Sequence, residues 1–163
     1  VMYIFKIINL TCLKEKFYRS ILKPVLIRHP KKNFNKILSE DLFKIIRNKI
    51  KTNAKKRIEW HLRNDHKVIV VSASPRHLIE KVTNFLGAEL IATETNLGEL
   101  IKKSNTNFKF CFTSRNCKGK EKVIRLENYI KHSLDDYIIY AYGDSAGDRE
   151  LLQIAEYSYF NKL

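Results

Sequence analysis

The chain has 163 residues, of which 44% are hydrophobic and 29% are charged, and its formal net charge at pH 7 is +14. A single domain of this length can bury a sizeable core, so the composition excludes an intrinsically disordered protein. Five glycines and three prolines are few for a protein made of many short strands and tight turns. This argues against an all-β sandwich and favours long helices.

The positive charge is concentrated in the first third of the chain. Residues 1–57 contain 16 Lys and Arg against three acidic residues, whereas residues 58–163 contain 15 basic and 14 acidic residues. One interpretation is a solvated Lys-rich surface in a protein from an A+T-rich genome. The other is a surface that attracts an anionic substrate, nucleic acid or acidic lipid. We do not favour nucleic acid, because the aromatic residues here do not alternate with Arg or Gly as a stacking platform would. An acidic membrane is not favoured either.

The cysteines and the first residues bear on the compartment. Cys12, Cys111 and Cys117 are odd in number and form no C-x-x-C pair, so we expect neither a disulfide framework nor a zinc site. A reducing cytoplasm fits this pattern best. The apolar run at residues 1–10 contains Lys6 and falls short of the roughly 20 residues that span a bilayer. It is also not a convincing signal peptide.

In the first third, apolar residues recur at spacings of three and four and predict helices from about residue 3 to residue 55. Pro24 and Pro30 would interrupt them, and Ser39 is a plausible N-cap before Leu42. Ala54, Ile58 and Leu62 place an apolar stripe on a further helix that ends near residues 64–65.

The remainder alternates between strand and helix patterns. Residues 68–71 form a β-branched apolar run, typical of a buried parallel strand, and Ser74 and Pro75 are the expected N-cap and first residue of a helix that stops at Gly87. Further elements are expected as a strand at 90–92, a helix at 119–131, a strand at 137–142, a helix at 147–155 and a strand at 157–160. Residues 93–117 are irregular and include at most a small hairpin. The alternation predicts an α/β fold with a parallel sheet.

Two carboxylates follow the predicted strand at 137–142. Asp144 lies directly after the strand in a Gly-Asp turn, and Asp148 lies in the first turn of the next helix. Ligands bind at the carboxyl ends of parallel strands, so the pair suits a hard divalent cation. Ser145 and Asp148 also have the spacing of a capping box, which needs no metal. The residues alone leave both interpretations open.

Two further groups are candidates for phosphate binding. Ser72 follows the strand at 68–71 at its carboxyl end and precedes a helix N-terminus, where free N–H groups can hold an anion. Lys118, Lys120 and Lys122 open a helix, where positive charge opposes the helix dipole. An inward-facing Lys bound to an anion would explain that cost. A turn residue for Ser72 and a solvated basic turn for the lysines are the simpler alternatives.

Together these segments resemble the haloacid dehalogenase superfamily in its phosphoserine phosphatase-like branch, from about residue 57 to residue 160. VIVVSAS at 68–74 is similar to the second motif, NCKGKEKV at 116–123 to the third and YGDSAGDRELL at 142–152 to the fourth. The setting of Glu59, Trp60, His61, Asp65 and His66 is also similar, and we interpret the His residues as structural. Residues 1–56 correspond in place to the helical basic cap, and residues 57–163 to the core with an irregular insert at about 93–117.

The resemblance implies a three-layer α/β/α Rossmannoid fold and roles for individual residues. Ser72 and Ala73 would bind the transferring phosphoryl group, and Lys122, with Lys120 next, would neutralise it. Asp144 would coordinate Mg²⁺, and Asp148 would support the ion directly or through water. The implied activity is hydrolysis of a small phosphorylated substrate by a cytoplasmic enzyme.

The first motif of the family, DxDx, has no counterpart in the chain. Its leading Asp is the nucleophile that becomes phosphorylated, and its second Asp is the general acid and base. The first acidic residue here is Glu15 and the first Asp is Asp41, inside a predicted helix. Loss of a nucleophile lowers hydrolase rates by about a millionfold. As written, the chain is therefore expected to be inactive, or a non-catalytic relative that binds a phosphorylated ligand, nucleic acid or an acidic membrane through its basic cap.

The strand that carries the first motif is central in the resembled sheet, so its absence would leave two unpaired inner edges. Three solutions are open: the flanking strands pair directly, residues 1–10 supply a substitute strand, or the sequence is an incomplete form of a longer protein. We favour the incomplete form, with the central first strand missing, because buried unpaired backbone is costly.

Overall fold

The computed structural model of the chain describes residues 2–5, 42–96 and 111–161. These residues form a five-stranded parallel sheet with helices on both faces. The strands are β1 Met2–Phe5, β2 Lys67–Pro75, β3 Glu89–Thr93, β4 Ile139–Gly143 and β5 Tyr157–Phe160. The α-helices are α1 Leu42–Arg47, α2 Thr52–Arg63, α3 Arg76–Phe85, α4 Lys120–Ile130 and α5 Arg149–Gln153. Short 3₁₀ turns cover Leu134–Asp136 and Ala146–Asp148.

The sheet order is β3-β2-β1-β4-β5, and every neighbouring pair is parallel. Alternate residues of β2 enter different hydrophobic cores: Val68 and Val70 pack with α1, α2 and α3, whereas Ile69 and Val71 pack with α4 and α5. A strand that is buried on both faces must be apolar at successive positions, which accounts for its continuous β-branched run. The expected three-layer α/β/α fold is confirmed.

The central position of the sheet is occupied, contrary to our expectation of a missing first strand. Residues Met2–Phe5 pair with β2 on one side and with β4 on the other. Residues 3–5, which the helical spacing had assigned to a helix, are therefore strand. The physical reason is tertiary: a gap between two parallel strands leaves two rows of backbone groups without partners, and the apolar run MYIF can fill it.

The predicted start of α3 is also wrong, by one residue. β2 continues through Ser74 to Pro75, and Pro75 rather than Ser74 is the N-cap residue of α3. Ser74 is buried in the strand. A register shift between Ser72 and Pro75 allows the strand to run on against β3, so this stretch follows sheet pairing instead of local capping preference.

The other predicted elements lie where the pattern put them, within two or three residues at most ends. The helix expected at 147–155 is a 3₁₀ turn followed by the short helix α5, and Gly87 ends α3 with a φ of +69°. In the insert, one antiparallel bridge joins Thr95 to Phe112. Ser39, Pro24 and Pro30 lie outside the described residues.

The proposed boundary between cap and core falls inside α2. Ala54 and Ile58 of this helix are both buried, and Ile46 of α1 belongs to the same hydrophobic core as Val68 of β2. The described part of the basic segment therefore packs directly on the sheet, and the division into two domains stays a prediction. No helix among the described residues has the length and apolar character needed to cross a membrane.

Arginine side chains cover the outer edge of β3. Arg76 donates to the carbonyl oxygen of Leu90 at 3.4 Å, and Arg125 donates to that of Ala92 at 2.6 Å. The backbone N–H of Glu94 donates to the Ser114 hydroxyl at 2.9 Å. Unpaired edge groups are a template for pairing with another chain. These side-chain contacts occupy two carbonyl groups of β3 and the N–H of the residue that follows it.

Candidate functional site

Lys122 lies at the centre of the candidate site. It is in the first turn of α4, its side chain is only 1% exposed, and its Nζ donates to Asp148 Oδ1 at 2.6 Å. The same Nζ donates to the backbone carbonyl of Val71 at 2.8 Å, next to Ser72. One buried ammonium group thus joins the end of β2 to the turn after β4, as expected for an inward-facing Lys.

Asp148 uses both carboxylate oxygens. Oδ1 accepts from Lys122, and Oδ2 accepts from the Ser145 hydroxyl at 2.7 Å, the Ser145 N–H at 3.0 Å and the Asp144 N–H at 3.3 Å. The capping interpretation is therefore correct for Oδ2, while Oδ1 serves the buried ion pair. Through the two N–H contacts, Asp148 fixes the backbone that carries the Asp144 carboxylate.

Ser72 is buried at the carboxyl end of β2, and its Oγ accepts a hydrogen bond from the Ser74 N–H at 3.1 Å. Ala73 is half-buried, and its carbonyl oxygen accepts from the Thr93 hydroxyl at 2.9 Å. The segment after the strand is therefore held in a defined conformation. The Lys122 ammonium group lies near Ser72, because it binds the carbonyl of Val71, the residue before Ser72.

The other two lysines of the cluster point elsewhere. Lys118 and Lys120 are exposed, whereas Lys122 is buried. Lys118 lies against Gly147, where a Cβ atom would be 2.8 Å from Lys118 Cγ. The Gly119 N–H donates to the Gly147 carbonyl at 3.0 Å, so the loop before α4 and the turn after β4 are in close contact.

The carboxylates at the end of β4 fit the ligand preferences of Mg²⁺. Asp144 presents a half-buried carboxylate beyond β4, and Mg²⁺ commonly takes one or two carboxylates together with waters and phosphate oxygens. Asp144 fits a direct ligand, and Asp148, with both oxygens engaged, fits an indirect one. Within the described parts of the chain, no three His, Cys, Asp or Glu side chains are grouped to hold a metal.

A family comparison identifies the chain. The sequence model of the haloacid dehalogenase-like hydrolases matches residues 11–153, which is most of the molecule. The chain belongs to this family. The motifs in β2, α4 and the turn after β4 therefore lie in a haloacid dehalogenase-like hydrolase core, as their resemblance implied.

Individual relatives are more distant or only partly aligned. Protein CicA from Caulobacter vibrioides is 34% identical over 91 residues, which cover 55% of this chain and 38% of CicA. A probable phosphoserine phosphatase from Vibrio cholerae has a TM-score of 0.57 at 10% identity, over 94% of this chain and 53% of that one. A phosphoserine phosphohydrolase-like protein from Francisella tularensis has a TM-score of 0.53 at 16% identity, over 98% and 85%. The matched part of the chain thus spans well under half of CicA. The Vibrio cholerae and Francisella tularensis structures share the fold of this chain.

The sequence of β1 contains no acidic residue. Phe5, the last residue of β1, pairs with Val70 and with Tyr142. The sequence continues after Phe5 with Lys6 and Ile7. Neither β1 nor the two residues that follow it in the sequence include an Asp or Glu.

His61 and His66 were interpreted as structural, and their contacts are those of a packed cluster. His61 is fully buried, with Nε2 at 3.2 Å from the Tyr142 hydroxyl and Nδ1 at 3.2 Å from His66 Nδ1. Burial, followed by the charges of His66 and Arg57, lowers the pKa of His61 from its ordinary value of 6.5 to about 3. His61 is therefore neutral at physiological pH and attaches α2 to β4.

Thr93 is a site-supporting residue that our sequence reasoning missed. It ends β3, is fully buried, and contacts both Ala73 and Cys117. The available signal was its position, because a hydroxyl residue at the carboxyl end of a parallel strand lies at the edge where ligands bind. Its partners could not be known without the register shift in β2.

Proposed function

We propose that the protein takes part in Mg²⁺-dependent hydrolysis of small phosphomonoesters in the cytoplasm, through an aspartyl-phosphate whose carboxylate lies outside this chain. On this proposal the chain is one part of a longer protein and is inactive alone. The observation that carries the proposal is the Lys122 ammonium group, buried between the end of β2 and Asp148. A buried, oriented cation next to Ser72 suits the charge of a transferring phosphoryl group.

Each residue of this chain has a distinct part in the proposal. The Ser72 hydroxyl and the backbone N–H of Ala73 would bind phosphoryl oxygens, and Lys122 would neutralise the charge that develops on them. Asp144 would hold Mg²⁺, which supplies charge neutralisation when bound. Asp148 would keep Asp144 and Lys122 in place. Ser72 cannot replace the missing nucleophile, because no general base is seen near its hydroxyl among the described residues.

The carboxylates required for covalent chemistry would come from a segment encoded upstream. The first carboxylate would attack phosphorus, the second would protonate the leaving alcohol, and water would then release inorganic phosphate. The sheet has one place between β2 and β4, and Met2–Phe5 holds it. In the longer form, the upstream strand would therefore have to displace Met2–Phe5.

A phosphatase assay tests the proposal. The chain as written and a form extended by the residues encoded upstream are incubated with p-nitrophenyl phosphate, with Mg²⁺ and with EDTA. We expect turnover only from the extended form with Mg²⁺, and loss of that turnover in its Lys122→Ala variant. Strong turnover by the chain as written would show that it does not lack its nucleophile. The identity of the substrate stays open, since selectivity would lie in the cap. We do not favour phosphoserine.

A second candidate function is non-catalytic binding of a phosphorylated ligand. The central position of β1 favours it, because this strand lies between β2 and β4 and has no acidic residue that could form the aspartyl-phosphate. It predicts that inorganic phosphate or a phosphomonoester binds with Mg²⁺, in a manner that depends on Lys122, while the extended form stays inactive. Binding that depends mainly on salt and not on Lys122 would instead indicate the basic segment.

A further inference from the structure

The Thr93 hydroxyl joins two segments that approach the candidate site from different elements. It donates to the Ala73 carbonyl at 2.9 Å and accepts from the Cys117 N–H at 3.0 Å. Asn116 Oδ1 is 3.4 Å from the same hydroxyl. A hydroxyl has one hydrogen, and the shorter contact assigns it to Ala73. Thr93 is 0% exposed, so water does not compete with these bonds.

The first segment is the irregular end of β2. Ser72 pairs with Ala92 and Pro75 pairs with Thr93, so Ala73 and Ser74 have no partner on β3. Extra residues of this kind change the direction of nearby side chains. Here the Ser74 N–H donates to Ser72 Oγ, so the position of the Ser72 hydroxyl depends on the conformation of the two extra residues. The Thr93 contact to Ala73 holds that conformation.

The second segment is the loop that leads into α4. Cys117 is fully buried, and the next residues turn through Gly119, which has a φ of +61°. The Gly119 carbonyl then accepts from the Lys122 N–H at 3.0 Å. The Thr93 contact to Cys117 therefore fixes the start of the turn that brings Lys122 to the carboxyl end of β2.

We infer that Thr93 is a positioning residue for phosphate binding, because its hydroxyl sets the placement of Ser72 relative to Lys122. The inference rests on the proposed function, in which these two side chains hold the phosphoryl group. Valine has the shape of threonine but removes the hydroxyl that binds the Ala73 carbonyl and the Cys117 N–H. Serine keeps the hydroxyl and loses only a methyl group. The two substitutions thus separate the hydrogen bonds from packing.

The experiment compares Thr93→Val and Thr93→Ser with Thr83→Val. Thr83 is a matched control, since it is also buried and its hydroxyl donates to the Ile79 carbonyl within α3, away from the site. Inorganic phosphate binding with Mg²⁺ is measured by calorimetry, and amide hydrogen exchange at Ser74 and Cys117 is measured by NMR. We expect Thr93→Val to weaken phosphate binding about tenfold, as loss of a supporting partner does at other sites, and to accelerate both amides.

The outcomes are distinct. Rescue by Thr93→Ser, with an unchanged site in Thr83→Val, supports the inference. Phosphate affinity of Thr93→Val equal to that of the original chain would overturn it, as would unaltered exchange at Ser74 and Cys117. If the original chain and its Lys122→Ala variant bind phosphate equally or not at all, the phosphate-binding role proposed for Ser72 and Lys122 in this chain fails. In that case exchange still decides: accelerated exchange confined to Thr93→Val supports positioning of the two segments by Thr93, and unaltered exchange refutes it.

Discussion

Replacement of Lys122 by Met tests the energetic centre of the site. The change removes the ammonium group that pairs with Asp148 at 2.6 Å and donates to Val71 at 2.8 Å, in a place where both side chains are 1% exposed. Removal of one partner leaves a buried carboxylate uncompensated, which costs about 3–5 kcal/mol in comparable buried pairs. We expect the free energy of unfolding of Lys122→Met to fall by that amount.

Urea unfolding at pH 7, followed by circular dichroism, measures this loss. Asp148→Asn and the double variant complete a double-mutant cycle. The loss in free energy of unfolding of the double variant should be smaller than the sum of the two single losses by about 1–3 kcal/mol. Lys120→Met is the control, because Lys120 is exposed on the same helix and should change stability by less than about 0.5 kcal/mol. A loss below about 1 kcal/mol for Lys122→Met, or additivity in the cycle, would refute the interpretation.

Three further outcomes are expected. Because the pKa of His61 is lowered to about 3, folded His61 stays neutral while the unfolded residue takes up a proton below about pH 6.5. The contribution of His61 to stability is present above that pH and is lost as the pH falls toward 3. The expected loss between pH 7 and pH 5.5 is about 1.3 kcal/mol. Urea unfolding at both pH values should show this loss, and His61→Gln should lack it. Gly143→Ala should lower the free energy of unfolding by about 1–3 kcal/mol, since its Cβ would lie 2.8 Å from Asp148 Cβ. Gly147→Ala should cost less, because the nearest atoms to its Cβ belong to the flexible Lys118 side chain. Equal losses in thermal or urea unfolding would contradict this. Arg125→Met should uncover the edge of β3 and produce self-association with rising concentration in sedimentation velocity, and the exposed Arg149→Met should not; a monomeric Arg125 variant at all concentrations would argue against edge protection.

Most of the core could be predicted because its signals are local. β2 is β-branched and buried on both faces, α2 has one apolar stripe, and Gly87 ends α3 with a positive φ. Each property is written into a few adjacent residues. Lys122 differs, because the residues alone left a solvated basic turn open and the family resemblance selected this lysine; in the structure it is buried on α4 one turn before Leu126.

The errors arose where pairing across the sheet decides the structure. Met2–Phe5 carries apolar residues that fit either a helix or a strand, and its place between β2 and β4 depends on partners more than 60 residues away. Ser74 and Pro75 form a good local helix start, yet Pro75 pairs with Thr93 on β3. In both places a local preference of a few tenths of a kcal/mol yields to paired backbone.

The turn after β4 shows why its two interpretations were compatible. A carboxylate has two oxygens, and Asp148 gives one to the N–H groups and hydroxyl of the turn and the other to Lys122. Both Asp148 oxygens are engaged, so in the proposed metal site the direct ligand is Asp144, whose N–H donates to Asp148. The capping contact is therefore part of the proposed metal site, because it fixes the backbone from which Asp144 extends. Loss of the Asp148 carboxylate should then disturb Lys122 and Asp144 together.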